Sequence, residues 1–167
     1  ALLNIAAKGF DRALSRDPDN ASLLESYSEY LRIAGKYDEA KKVLAGKEDL
    51  QWKFHLRDGQ FEKARKILND LYEKDPENPE VLIGLMSVSQ KTGNTEDLKK
   101  FSNELLDVNE SSENQLRQIH MYLEAGLIKQ ATDKLASFRE RNPDDSRGLL
   151  LEAWAKMSEG KLDEALK

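Results

Sequence analysis

Chemistry in a chain of this size usually begins with histidine, cysteine or paired carboxylates, and few stand in useful arrangements here. Cysteine is absent, which removes disulfides, thiolate metal sites and cysteine nucleophiles together. The two histidines, His55 and His120, have no second ligand in their sequence context, so histidine-based metal binding is not expected. Asp17, Asp19 and Asn20 superficially resemble the opening of a calcium loop. The glycine and distal glutamate of such a loop are missing, and turn and cap roles explain these residues better. The acid pairs Asp38–Glu39 and Glu96–Asp97 fall where helices begin, a placement that favours the helix dipole rather than acid–base work. Glycine-rich phosphate loops, H-E-x-x-H and G-x-S-x-G are all absent. The residues therefore predict no catalytic site, no cofactor and no metal: not an enzyme.

Charge narrows the partners. Among 167 residues, 26 basic side chains against 31 acidic ones leave a net charge of −5. A protein that holds a nucleic-acid backbone normally leans the other way. The local basic runs at 41–42, 53–57 and 99–100 are diluted by acids at nearly every turn, so no nucleic-acid partner is expected. No apolar run approaches the ~20 residues that a membrane-crossing helix requires, so direct membrane insertion is not expected either.

The elements that position these side chains repeat. Five segments centre on a glycine, at 34–40, 58–64, 92–98, 125–131 and 159–165; four follow it with a large apolar or aromatic residue two positions later and an alanine five later, and 92–98 has Thr95 and Leu98 there. Their glycines, Gly35, Gly59, Gly93, Gly126 and Gly160, are spaced 24, 34, 33 and 34 residues apart. Each glycine follows a stretch of helical period, such as Leu24, Tyr27 and Leu31, and suits the left-handed position that closes a helix. A second helix follows and ends at 17–20, 75–79 or 142–145, where Asn78 and Pro79 read as an N-cap and first-turn proline. Ala40, Ala64, Ala131 and Ala165 fit a close crossing of two antiparallel helices, whereas Leu98 departs and is expected to splay the third hairpin.

These units resemble the tetratricopeptide repeat, a helix–turn–helix of 34 residues. Leu24, Tyr27, Leu31, Gly35, Tyr37, Ala40 and Leu44 carry the resemblance in the first full unit. Gly59, Phe61, Ala64, Leu68 and Pro76 carry it in the second, and Leu149, Gly160, Leu162 and Ala165 in the last. The resemblance implies an all-α fold, a right-handed superhelical solenoid of antiparallel helix-turn-helix repeats. One array is expected over 1–167: the second helix of a preceding repeat at 1–17, repeats at about 20–46, 47–78, 79–111 and 112–145, and a partial repeat at 146–167. Leu3, Ala6, Phe10 and Ala13 fill the positions of that first second-helix. The short first spacing predicts that the helices around Lys41 to Phe54 each lose about a turn. Trp52, Met86 and Ile119 occupy a position that is small in the family. Gln115 and Gln118 stand where large apolar residues belong, and a one-residue slip would put Leu116 and Ile119 there instead. Because the pattern is cut at both ends, a fragment of a longer array is expected, with self-association through its truncated terminal repeats.

The resemblance also places a binding surface. In stacked hairpins the first helices line a concave groove, and the family's outward positions lie ten, six and three residues before each glycine. In the first full unit these are Glu25, Glu29 and Arg32; the lysine–asparagine–arginine clamp by which co-chaperones of the family hold a carboxylate is not matched, and an acidic C-terminal peptide is expected to be repelled. Further along they are Ile83, Ser87 and Gln90, then Leu116, His120 and Leu123, then Leu150, Trp154 and Met157. The expected partner-binding groove is thus Ile83, Leu116, His120, Leu123, Leu150, Trp154 and Met157, an apolar strip larger than most soluble monomers leave bare. The alternative is that Trp154 and its neighbours are core against a further hairpin. The expected function is a non-catalytic scaffold that binds a peptide or helix of a protein partner. By resemblance, bacterial members sit in secretion, pilus or envelope-polymer export assemblies, in cytoplasm or periplasm. The alternative reading is a regulatory or oligomerisation segment of a larger enzyme whose catalytic domain lies elsewhere.

Overall fold

The computed structural model describes residues 2–160, with the side chains of residues 2–4 left aside. Ten helices and no strand are found among the described residues. The chain divides into two compact units, Ala1–Lys74 and Asp75–Lys167. The expected positions of Leu162 and Ala165 lie outside the described residues, as does the side chain of Leu3.

The first unit holds α1 (Leu2–Leu14), α2 (Ala21–Ile33), α3 (Tyr37–Val43), α4 (Glu48–Arg57) and α5 (Phe61–Lys74). Helix α2 pairs with α3 and α4 with α5, each pair an antiparallel hairpin. Their core joins Leu24 and Leu31 of α2 to Ala40, Leu44, Leu50 and Phe54. Phe10 of α1 stacks on Tyr27 of α2 with ring centroids 4.9 Å apart. The shortened spacing is met by a seven-residue α3 and a ten-residue α4. One corner was not anticipated: Gly46, at φ +74°, turns the chain out of the short α3.

The second unit holds α6 (Pro79–Lys91), α7 (Thr95–Val108), α8 (Ser112–Glu124), α9 (Ile128–Arg141) and α10 (Ser146–Ser158). Here α6 pairs with α7, α8 with α9, and α10 packs on both α8 and α9. Each first helix starts on a side-chain cap: Asn78, Ser111 and Asp145 accept from backbone N–H groups of the first turn, and Pro79 occupies the opening position of α6. Asp145 accepts from the backbone N–H of Arg147 at 2.9 Å and pairs with its guanidinium at 2.7 Å.

The repeat glycines share one geometry. At Gly35 the glycine N–H donates to the carbonyl of Arg32 at 3.0 Å and the Lys36 N–H to that of Leu31 at 2.9 Å, the paired bonds of a Schellman stop. The same two bonds recur at Gly59, Gly93 and Gly126. All five repeat glycines have φ between +71° and +78°. A Cβ at Gly93 meets nothing within 4 Å, so the cost of Gly93→Ala is backbone strain alone. That strain is about 1–2 kcal/mol, and calorimetry should show Tm lowered by roughly 5–15 °C. Gly9→Ala, on an open helical face of α1, should instead stabilise by up to about 1 kcal/mol.

The residues five after each glycine behave as crossing points: Ala40, Ala64 and Ala131 have no exposed surface, and neither does Leu98. Leu98 does not splay its hairpin: it is fully buried, and α6 and α7 pack closely along their length. In α8, Leu116 is buried and Gln115 only half-buried, as a one-residue slip would place them, whereas Ile119 is buried together with Gln118, which is 2% exposed. Burial of that amide is made tolerable by hydrogen bonds: its Nε2 donates to Ser102 Oγ at 2.9 Å and to Asn103 Oδ1 at 3.0 Å.

Candidate partner-binding surface

In the first unit the inner positions are charged and mutually satisfied. Glu25 of α2 receives Lys53 at 3.0 Å and Arg57 at 2.7 Å, both from α4, while Glu29 pairs with Arg32 at 2.8 Å. Burial pushes the Glu25 carboxyl upward, but hydrogen bonds from Lys53 and Arg57 outweigh it and hold the group below its ordinary range. Two carboxylates thus face three cations, so the repulsion expected toward an acidic peptide at this patch does not hold. His55 is half-buried, its Nδ1 3.1 Å from Gln60 Oε1 and its ring edge-on to Phe54. Burial lowers its pKa, with the Gln60 hydrogen bond opposing, and the residue's role is packing.

The second unit differs. Inner-face residues of α6, α8 and α10 form a connected line: Gln90 donates to Glu124, His120 Nδ1 lies 3.7 Å from the same carboxylate, and the His120 ring meets Trp154 edge-on at 5.1 Å. Beyond Trp154 the surface is apolar. Leu150 is 72% exposed, Met157 55% and Leu149 51%. At 100° per residue these three, with Ala153 and Trp154, fall on one continuous stripe of α10, opposite the buried Gly148, Leu151 and Ala155.

The expected groove is therefore rearranged. His120, Leu150 and Met157 are exposed, and Trp154 and Ile83 are half-buried. Leu116 and Leu123, expected to be bare, are buried at 7% and 5% because α8 is flanked by α7, α9 and α10. Leu149 was missed as a surface residue. The run Leu149–Leu150–Leu151 could have revealed it, since three successive residues of one helix cannot all face the same core. Among the described residues, no group of three His, Asp or Glu side chains is placed to hold a metal ion. None of the described helices is long and apolar enough to cross a membrane.

The model of the family described as the coatomer epsilon subunit matches residues 20–117, more than half of the chain. The chain belongs to the coatomer epsilon subunit family. The match begins at the Asn20 cap of α2 and runs into α8, so the epsilon-type region covers the hairpins that carry the repeat glycines 35, 59 and 93. A solved tetratricopeptide repeat protein from Parabacteroides merdae is similar over 98% of this chain and 70% of its own, with a TM-score of 0.71 and 21% identity. This coatomer epsilon family chain is thus a tetratricopeptide-like repeat protein with an all-α fold. No curated protein matches it.

Acid is expected to loosen the start of α10, the helix that carries the apolar stripe. Hydrogen bonds from Arg147 hold the Asp145 carboxyl at about 2. A depressed folded-state pKa means that the cap contributes fully above the ordinary carboxylate range and is lost as pH falls toward about 2. Amide exchange at residues 146–149 should accelerate selectively over that acid window, and Asp145→Asn should flatten the dependence.

Proposed function

We propose that this chain is a non-catalytic docking subunit whose α8–α10 inner face receives an amphipathic helix from a protein partner. The observation that carries the reading is the stripe of exposed Leu149, Leu150 and Met157 with half-buried Trp154, continuous with His120 and bordered by the Glu124 carboxylate. Tryptophan and methionine are favoured at interfaces, the first for its large rigid area and the second for its adaptability. A helix lays its apolar side on such a stripe, and a lysine or arginine on its rim would meet Glu124. Two further facts support a protein partner: the family is named for a subunit, which implies assembly with other chains, and the tetratricopeptide-like fold offers a preformed surface that lowers the ordering cost of binding. The family match does not point toward the secretion, pilus or polymer-export assemblies that the resemblance suggested.

The test uses Trp52→Phe, which leaves Trp154 as the sole tryptophan. A synthetic amphipathic helix with a leucine face and lysine rims should shift and quench Trp154 emission, and the same helix with glutamate rims should bind much more weakly. Equal indifference to both peptides would refute the assignment. Concentration-dependent dimerisation that buries Trp154 would refute it differently, by giving the stripe to a second copy.

A further inference from the structure

A cleft of about 330 Å³ opens between α7, α8 and α9, away from the α10 stripe. Its floor is apolar, from Leu106 and Ile119, and its walls are polar. Two of the wall residues have unfilled capacity. Gln118 spends both amide hydrogens on Ser102 and Asn103, so its carbonyl oxygen is left to accept. Gln118 is one of the residues that line the cleft.

Lys134 is the second. Three other partly buried cations of the second unit are answered by carboxylates: Arg117 by Glu113 at 2.9 Å, Arg139 by Glu152 at 3.8 Å, and Lys156 by Glu152 at 3.0 Å. The Lys134 ammonium instead lies 5.9 Å from the centroid of the Tyr122 ring, and among the described residues no carboxylate stands within ion-pair distance of it. Burial depresses its pKa, which fits a cation without a counter-charge. The acids of the cleft do not fill this place. Glu110 is held by Arg141 at 3.1 Å, which also reaches Gln115 at 3.3 Å, and Asp133 lies exposed at the rim.

We infer that this cleft is a second binding site, which takes a carboxylate together with a neighbouring amide N–H, as an acidic peptide presents them. The carboxylate pairs with Lys134 and the N–H donates to the Gln118 carbonyl. Two sources share this chemistry: a glutamate or aspartate side chain within a peptide, and a chain-terminal carboxylate with its preceding amide. The site is independent of the α10 stripe, because it uses different helical faces and a polar rather than an apolar ligand.

The test titrates the full chain, isotopically labelled, with three peptides: acetyl-Gly-Glu-Gly-amide, acetyl-Gly-Gly-Gly as the free acid, and acetyl-Gly-Gln-Gly-amide as the neutral control. At least one acid should shift the side-chain resonances of Gln118 and Lys134 saturably in the millimolar range, and the control should not. Which acid binds identifies the source. Lys134→Gln, which keeps the helix, should weaken binding about tenfold, and Lys134→Arg should retain most of it. The inference is overturned if neither acid shifts these groups, if the control binds as well, or if Lys129→Gln at an exposed position weakens binding as much as Lys134→Gln.

Discussion

Phe138→Ala should cost about 3–5 kcal/mol, the largest stability effect expected of any single substitution in the second unit. Phe138 is on α9 and has no exposed surface. Its ring fills the gap left by a glycine on the neighbouring helix. A Cβ built on Gly148 of α10 would stand 2.8 Å from Arg139 Cδ, and 3.2 Å and 3.3 Å from two carbons of the Phe138 ring. The aromatic ring and the absent side chain are thus two halves of one contact that seats α10 against α9. Removing the ring leaves a void that neither helix can close without shifting. A domain of ordinary stability has only about 5–15 kcal/mol in total. Scanning calorimetry should therefore show Tm falling by roughly 15 °C or more, and hydrogen exchange should show α9 and α10 opening before α6 and α7. Phe138→Leu, which refills most of the volume, should recover much of the loss. A small shift for Phe138→Ala would mean that the α9–α10 contact is not what holds α10 in place.

That pair of residues shows what the sequence could and could not disclose. The corners were legible because their cause is local: only glycine occupies φ near +75° without strain, so each repeat glycine marks its own turn. Ala40, Ala64 and Ala131 were legible for a similar reason, since a close crossing favours small side chains, although Leu98 is buried as completely at the same position. Gly46 escaped because it lies outside the regular spacing, in the link between the short α3 and α4. Leu116 and Leu123 escaped for a different reason. Their register in the repeat points them to the inner face, and register alone does not tell how much of that face the next helix covers. The buried Gln118 could not be anticipated from its own helix, because the groups that satisfy it, Ser102 and Asn103, are on α7. Side chains whose roles depend on two helices at once are the ones that pattern reading misplaces.

Trp154→Ala should abolish most helix binding while leaving the fold nearly intact. The asymmetry follows from where the indole stands. It is half-buried, edge-on to His120 at 5.1 Å, and the helix that carries it is anchored by Gly148, Leu151 and Ala155 on the opposite side. Truncation therefore removes little core, and a stability change of about 1 kcal/mol or less is expected. At an interface the same truncation removes the central anchor. Hot-spot tryptophans carry about 2–4 kcal/mol, so affinity for the lysine-rimmed helix should fall by roughly 30-fold or more. Leu150→Ala should cost less, since its contact is a flank of the stripe, and Glu124→Gln should act mainly by slowing association at low salt. Leu123→Ala is the informative control. With Leu123 at 5% exposure it belongs to the core, and it should lower Tm without a specific loss of affinity in the folded fraction. If Trp154→Ala instead unfolded the second unit as Phe138→Ala does, the indole would be core and the stripe would not be a docking surface. Full affinity in a folded Trp154→Ala protein would move the partner's seat away from α10 altogether.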